Sequence, residues 1–165
     1  MQMIASWRLA VVFAGLVGCA QSAHSLCTVA CVCTVTTTSV VFGTYNPLSV
    51  FDIDSTGTVK VQCTGTSTSS IGYTVAMNAG SGASIADRSM SSGSSKLFYN
   101  LYAAVDHVTV VGDGTSSNAV LSGSVMPGSL GTNSQTSTVY GRIRGGQIGV
   151  LPGLYTDNLV VTVTY

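Results

Sequence analysis

The segment Gly57-Thr58-Val59-Lys60-Val61-Gln62-Cys63 indicates the fold class, because its apolar and polar side chains alternate without a break. Strict alternation is typical of a β-strand with one buried face and one wet face. The same period recurs in Ile71–Met77 and in Leu159–Tyr165, whereas no long segment carries the 3.6-residue repeat of an amphipathic helix. The sequence therefore predicts an all-β protein.

Short strands separated by turn residues favour an antiparallel sandwich or barrel. Ser- and Gly-rich loops are predicted at 64–70 and 80–95, and Asp113-Gly114 predicts a hairpin turn. The predicted strands are Thr34–Phe42, Gly57–Cys63, Ile71–Met77, Lys96–Ala103, Val108–Val111, Thr136–Ile143 and Leu159–Tyr165.

The composition excludes several classes of protein. The 165 residues suffice for one domain, and six Lys and Arg balance six Asp, with no Glu, so the net charge is zero. A nucleic-acid-binding protein needs a basic surface, which this chain lacks, so we expect no nucleic-acid partner. The absence of net charge leaves little self-repulsion, which makes association between copies plausible.

The N-terminus has the pattern of an export signal. Leu9–Gly18 is an apolar run too short to span a bilayer but long enough for the core of a signal peptide. Small residues up to Ser25 predict a signal peptide over 1–25 and a mature domain over 26–165. Two alternatives remain: cleavage near Gly18, and a lipobox-like Leu16–Cys19 in which Cys19 is lipidated. No second apolar run follows, so the mature protein is not expected to be an integral membrane protein.

Four cysteines follow the predicted signal core: Cys27, Cys31, Cys33 and Cys63. An even number in an oxidising compartment favours disulfides, and four cysteines allow three pairings. A zinc site is disfavoured because the paired C-x2-C spacing of zinc knuckles is absent. We expect neither a metal nor another cofactor.

Two motifs that resemble chemical sites have simpler interpretations. Asp52–Gly57 opens like a calcium loop, but the position of the required Glu is Cys63, so a turn before a strand is predicted. Asp106-His107 places an acid beside a histidine without an activated nucleophile, so His107 is predicted to be a surface residue.

The remaining candidates are binding residues. Arg142 and Arg144 alternate on one strand face and could contact an anionic sugar, although a solubilising role is the simpler interpretation. Exposed tyrosines could form a carbohydrate platform, although most are expected in the core; they are Tyr45, Tyr73, Tyr99, Tyr102 and Tyr140. With no Glu and one histidine after residue 25, the chain is not expected to be an enzyme.

A succession of short motifs over about residues 31–165 resembles the spore coat protein U domain. This family includes secreted bacterial coat proteins and subunits of archaic chaperone–usher pili. In order, the motifs are Cys33-Thr34-Val35, Phe42–Pro47, Gly57–Cys63, Tyr73-Thr74-Val75, Arg88-Ser89-Met90, Leu97–Tyr102, Gly112-Asp113-Gly114, Tyr140–Ile143, Pro152–Asp157 and Leu159–Tyr165.

The resemblance implies an immunoglobulin-like antiparallel β-sandwich that lacks its last strand. In pilus subunits of this type, a periplasmic chaperone lends the missing strand, and the N-terminal segment of a neighbouring subunit later replaces it. The family's disulfide maps onto Cys33 and Cys63. Cys27 and Cys31 are extra to the family's pattern; they could form a second pair, but their pairing stays open. The strand-accepting edge is expected at Leu159, Val161, Val163 and Tyr165, where the given sequence ends on a strand.

The leading hypothesis is an exported pilin-like subunit that is completed by a donated strand and serves adhesion or biofilm formation. Its expected partners are a periplasmic chaperone, an usher and other subunits, and its expected location is the periplasm in transit and then the cell surface. The alternatives are a coat protein of a spore or cell, and a secreted carbohydrate-binding module. The short segment ahead of Cys33 after cleavage at Ser25 indicates a poor strand donor.

Overall fold

The computed structural model describes residues 31–67, 69–115 and 117–165. Within these ranges the chain forms strands and no helix, so the predicted all-β antiparallel fold is confirmed. The strands are β1 (Val32–Thr38), β2 (Ile53–Ser67), β3 (Ile71–Met77), β4 (Ser89–Ser92), β5 (Ser95–Phe98), β6 (Asn100–Tyr102), β7 (Leu121–Val125), β8 (Gly128–Ile143) and β9 (Val161–Thr164).

Two sheets enclose the core. One has the order β1-β2-β8-β6 and the other the order β7-β3-β9, while β4 and β5 form a separate two-stranded ribbon. Val61 and Cys63 of the first sheet and Tyr73 and Val75 of the second are buried in the same apolar cluster. The arrangement is therefore a sandwich in which each sheet contributes its apolar face to one core.

The long β2–β8 pair runs through the centre of the first sheet. Its register extends from Ile53 opposite Ile143 to Thr64 opposite Thr132, with an irregularity between Gly65 and Ser67. The alternation that predicted β2 is present in the structure, because every second residue from Val59 to Cys63 is buried.

Several predicted strand bounds are wrong because pairing with β8 extends β2 in both directions. β2 already begins at Ile53, so the turn predicted over Asp52–Gly57 is strand, and it continues to Ser67 through most of the loop predicted at 64–70. β8 is likewise longer than predicted and begins at Gly128. Long-range pairing therefore orders Thr- and Gly-rich segments whose local composition indicates loops.

Other differences occur where the chain changes sheets. The strand predicted over Lys96–Ala103 is interrupted at Tyr99, and the predicted loop at 80–95 contains β4. The predicted hairpin at Asp113-Gly114 is absent, because Val111 makes an isolated parallel bridge to Ala119 and β7 then pairs with β3.

A disulfide joins the first two strands. Cys33 and Cys63 lie directly opposite each other in the β1–β2 register, their Cα atoms are 4.0 Å apart, and their sulfurs are bonded, as the resemblance implied. Cys31 is also disulfide-bonded, whereas Cys27, Cys19 and the predicted signal over 1–25 lie outside the described residues. In the described part of the chain, no helix has the length and apolarity needed to cross a membrane.

Candidate functional site

After β1 the chain leaves the edge of the first sheet and crosses its inner face. This crossing segment, residues 39–46, lies close to the sheet because Gly57 and Gly141 leave room for it. A Cβ atom on Gly57 would lie 2.9 Å from a methyl of Val40, and one on Gly141 would lie 2.8 Å from the ring of Phe42. The two glycines therefore allow Val40 and Phe42 to cover the sheet.

Side chains hold the crossing segment in place. Ser55 Oγ donates to the Val41 carbonyl at 2.7 Å, and the Tyr45 hydroxyl donates to the Arg144 carbonyl at 3.2 Å while accepting from Gln147 N at 2.9 Å. The backbone of residues 39–45 makes no backbone–backbone hydrogen bond to another described segment. It is a fixed edge whose peptide groups have no backbone partner among the described residues.

A second edge lies across from the first. β9 is the last strand of the β7-β3-β9 sheet and pairs, among the described strands, only with β3, where Val161 is opposite Met77. Just before it, Asn78 N donates to the Val160 carbonyl at 3.2 Å. The side of β9 that faces away from β3 therefore presents peptide groups that no described strand pairs with.

An apolar groove of about 890 Å³ separates these two edges. Its walls are the crossing segment and residues 150–161, and Phe42 and Tyr99 meet edge to face at 5.9 Å between ring centroids. The floor consists of core side chains from both sheets and from the segment of β5 and Tyr99: Val59, Met77, Leu97, Tyr99, Leu101, Val139 and Ile143.

Only part of the predicted strand-accepting edge lines this groove. Leu159 and Val161 do so, whereas Val163 packs against the core beyond it and Tyr165 is 58% exposed. β9 also begins at Val161 rather than at the predicted Leu159. The sequence did not indicate the other wall, because residues 39–42 of the crossing segment were predicted as the end of the first strand.

A polar anchor holds the wall at 150–161 against the floor. The Tyr99 hydroxyl donates to Asp157 Oδ2 at 2.7 Å, and Asp157 Oδ1 accepts from Ser81 N at 2.8 Å. Burial, followed by the hydrogen bond to Asp157, raises the pKa of Tyr99 well above its ordinary value. Tyr99 therefore stays protonated and keeps its donor.

Behind this anchor, Arg88 is fully buried. It donates to the carbonyls of Asn78 and Met77 at 3.0 and 3.1 Å and to Asn100 Oδ1 at 2.9 Å. Burial lowers the pKa of this guanidinium. Arg88 thereby fixes the end of β3 beside the groove, a role that the sequence signalled only through the Arg88-Ser89-Met90 motif.

The other candidate residues have structural roles. The prediction of a surface His107 is wrong: its side chain is 5% exposed and lies edge-on to Tyr102 and Tyr140. Arg142 makes two 2.7 Å hydrogen bonds to Asp54, which lower the pKa of that carboxyl, so this guanidinium is already engaged.

The tyrosines do not form an exposed platform. Tyr73, Tyr99 and Tyr102 are buried, and Tyr45 and Tyr140 are half-buried. Within the described residues, no cluster of three or more His, Cys, Asp or Glu side chains is arranged to hold a metal ion. The groove is therefore the feature of the described structure that is best suited to a partner.

These features define a class of structural domain with an exposed apolar groove between two strand edges. The Spore Coat Protein U domain model matches residues 20–162, and the chain belongs to this family. No curated protein matches it. Among solved structures, the P pilus rod subunit PapA is similar at 12% identity and a TM-score of 0.46, covering 81% of this chain and 98% of that one.

Proposed function

We propose that this protein is an exported, pilin-like subunit of a bacterial surface assembly, completed by a strand that another protein inserts into its groove. The observation that carries this proposal is an apolar channel between two edges whose backbone pairs with no other described segment on the channel side. Membership of the Spore Coat Protein U family supports a structural rather than catalytic role.

The groove meets both requirements of an inserted strand. Peptide groups of residues 39–45 on one side and of β9 on the other can bond to its backbone, as in strand addition to a sheet edge. Alternate side chains of the strand would contact the apolar floor, while the others would face solvent.

The energy of insertion is large on the scale of this domain. Four apolar side chains that become buried contribute about 1.5–3 kcal/mol each before ordering costs. The sum is comparable with the whole stability of a small domain, about 5–15 kcal/mol. We therefore expect the free subunit to aggregate or be degraded unless a strand is supplied.

The partners that follow from this proposal are a periplasmic chaperone, which would occupy the groove during export, and an usher and further subunits at the cell surface. In such an assembly the subunit would contribute to adhesion or biofilm formation. The expected route is export by a signal peptide over 1–25, transit through the periplasm and assembly outside the cell.

The test is to supply the strand within the same chain. A segment of alternating apolar residues is joined to Tyr165 through a short flexible linker, and the matched control carries Ser at the apolar positions. If insertion contributes a net 5 kcal/mol, the melting temperature should rise by about 10–20 °C, and the Ser control should stay at the parent value. Equal melting temperatures for all three proteins would show that the fold needs no further strand.

A coat protein is the second candidate, because the family is named for a spore coat component. Electron microscopy of cells with and without the gene separates the two. Loss of thin fibres supports the pilin, whereas an altered surface layer with no fibres in either strain supports the coat protein. A carbohydrate-binding module would need an exposed aromatic surface, and the tyrosine burial described above disfavours it.

A further inference from the structure

One end of the molecule carries an apolar surface that the groove does not account for. Seven large side chains in three neighbouring segments are 51% to 83% exposed there. We call this surface the apolar end; it consists of Leu48, Val50, Phe51, Phe98, Ile148, Leu151 and Leu154.

Hydrogen bonds hold the three segments together. Gly146 N donates to the Ser49 carbonyl at 2.6 Å, and the Gln147 side chain makes two hydrogen bonds, of 2.9 and 2.8 Å, to the backbone of Phe98. Leu151 N donates to Ser95 Oγ at 3.2 Å. The apolar side chains therefore project from fixed loops, so they are preorganised for contact.

The size of the apolar end matches a protein interface. At roughly 60–120 Å² of apolar surface each, seven such side chains carry roughly 400–800 Å². This is at or above the largest apolar patch of a typical monomer, about 300–600 Å², and approaches the roughly 800 Å² that one partner contributes to a standard interface.

The area and composition of the apolar end point to its occupant. Leu151 and Leu154 belong both to the apolar end and to the lining of the groove, so a partner that docks here lies beside the groove. A second copy would present the same surface, and each copy would contribute nearly the roughly 800 Å² that one side of a standard interface needs. The chain has no net charge to oppose contact between copies.

We propose that the apolar end is a contact surface for a second copy of this chain, which presents its own apolar end in return, as in a two-fold symmetric dimer. The contact is separate from the proposed strand insertion. Docking would bury Phe51 and Ile148, each 79% exposed in the single chain.

The test uses the strand-filled fusion protein, in which the groove is already occupied. Sedimentation equilibrium over about 1–100 µM covers the range of weak to moderate interfaces of this size. We expect a concentration-dependent dimer, and Phe51→Ser combined with Ile148→Ser should weaken its Kd at least tenfold. Because both residues are exposed, the melting temperature of the variant should stay within a few degrees of the parent.

The matched control replaces two exposed apolar residues elsewhere, Val32→Ser with Met126→Ser. Val32 is opposite Thr64, at the far end of the first sheet from Ile53, and this variant should dimerise like the parent. A strand-filled protein that remains monomeric throughout, or an F51S/I148S variant that dimerises normally, would overturn the second-copy proposal. The melting-temperature rise on strand fusion reports independently on the proposed function.

Discussion

Truncating Phe42 to Ala should cost more stability when the groove is filled than when it is empty. Phe42 is half-buried, its ring meets Tyr99 edge to face, and it forms part of one groove wall. Complete removal of a buried Phe side chain costs about 3–5 kcal/mol, so a half-buried ring should cost about 2 kcal/mol. A strand in the groove would cover the exposed side of the ring, so Phe42→Ala should then cost the full value of about 3–5 kcal/mol.

The quantity to measure is the difference between the free-energy cost of Phe42→Ala with the groove filled and its cost with the groove empty. Urea unfolding of the mature domain without an added strand and of its strand-filled fusion, each with and without Phe42→Ala, forms a double-mutant cycle. We expect a coupling of about 1–2 kcal/mol between Phe42 and the added strand.

Val61→Ala provides the control for this cycle. Val61 is fully buried in β2 but does not line the groove, so its cost should be the same, about 2 kcal/mol, in both proteins. Equal costs of Phe42→Ala in the empty and filled proteins would refute the assignment of this residue to the strand-binding wall.

Three further predictions concern the disulfide, the acid dependence and the export signal. Replacing Cys33 and Cys63 together by Ser should lower the free energy of unfolding by about 2–5 kcal/mol in urea titrations, and peptide mapping without reductant should recover the bonded pair from the parent. The pKa of Asp54 is lowered mainly by its hydrogen bond from Arg142, so this pair stabilises the fold above the ordinary Asp pKa of 3.8 and loses its effect as the pH falls through the folded value. Because the Asp54 side chain is 48% exposed, Asp54→Asn should cost at most about 1 kcal/mol near neutral pH, and the cost should vanish in acid; a cost that persists in acid would contradict the ion-pair origin. Intact-mass measurement of the exported protein should give a start at Leu26 without an acyl chain, and a lipid-modified mass would instead indicate membrane anchoring.

The fold class and much of the core could be predicted from the sequence. Alternation in β2 and β3 depends only on which side chains avoid water, so Val59, Val61, Tyr73 and Val75 could be assigned to the core from their spacing. The bond between Cys33 and Cys63 followed from the family resemblance, because spacing alone left three pairings open.

The groove could be predicted only in part. Leu159 and Val161 were recognisable as one edge because they alternate along a predicted strand. The opposite edge was not, since Val40 and Phe42 continue the β-branched run of β1 and nothing local indicates that the chain leaves the sheet after Thr38.

The reason that the chain leaves the sheet after Thr38 is visible only in the tertiary structure. Gly57 and Gly141 lie more than 80 positions apart in the sequence, yet β2–β8 pairing brings them under the same crossing segment, where their missing side chains make room for it. The burial of Arg88 and His107 has the same origin, because contacts between distant strands surround these polar side chains. Alternation reports which face of a strand is buried, whereas the path between sheets depends on distant segments that pack together.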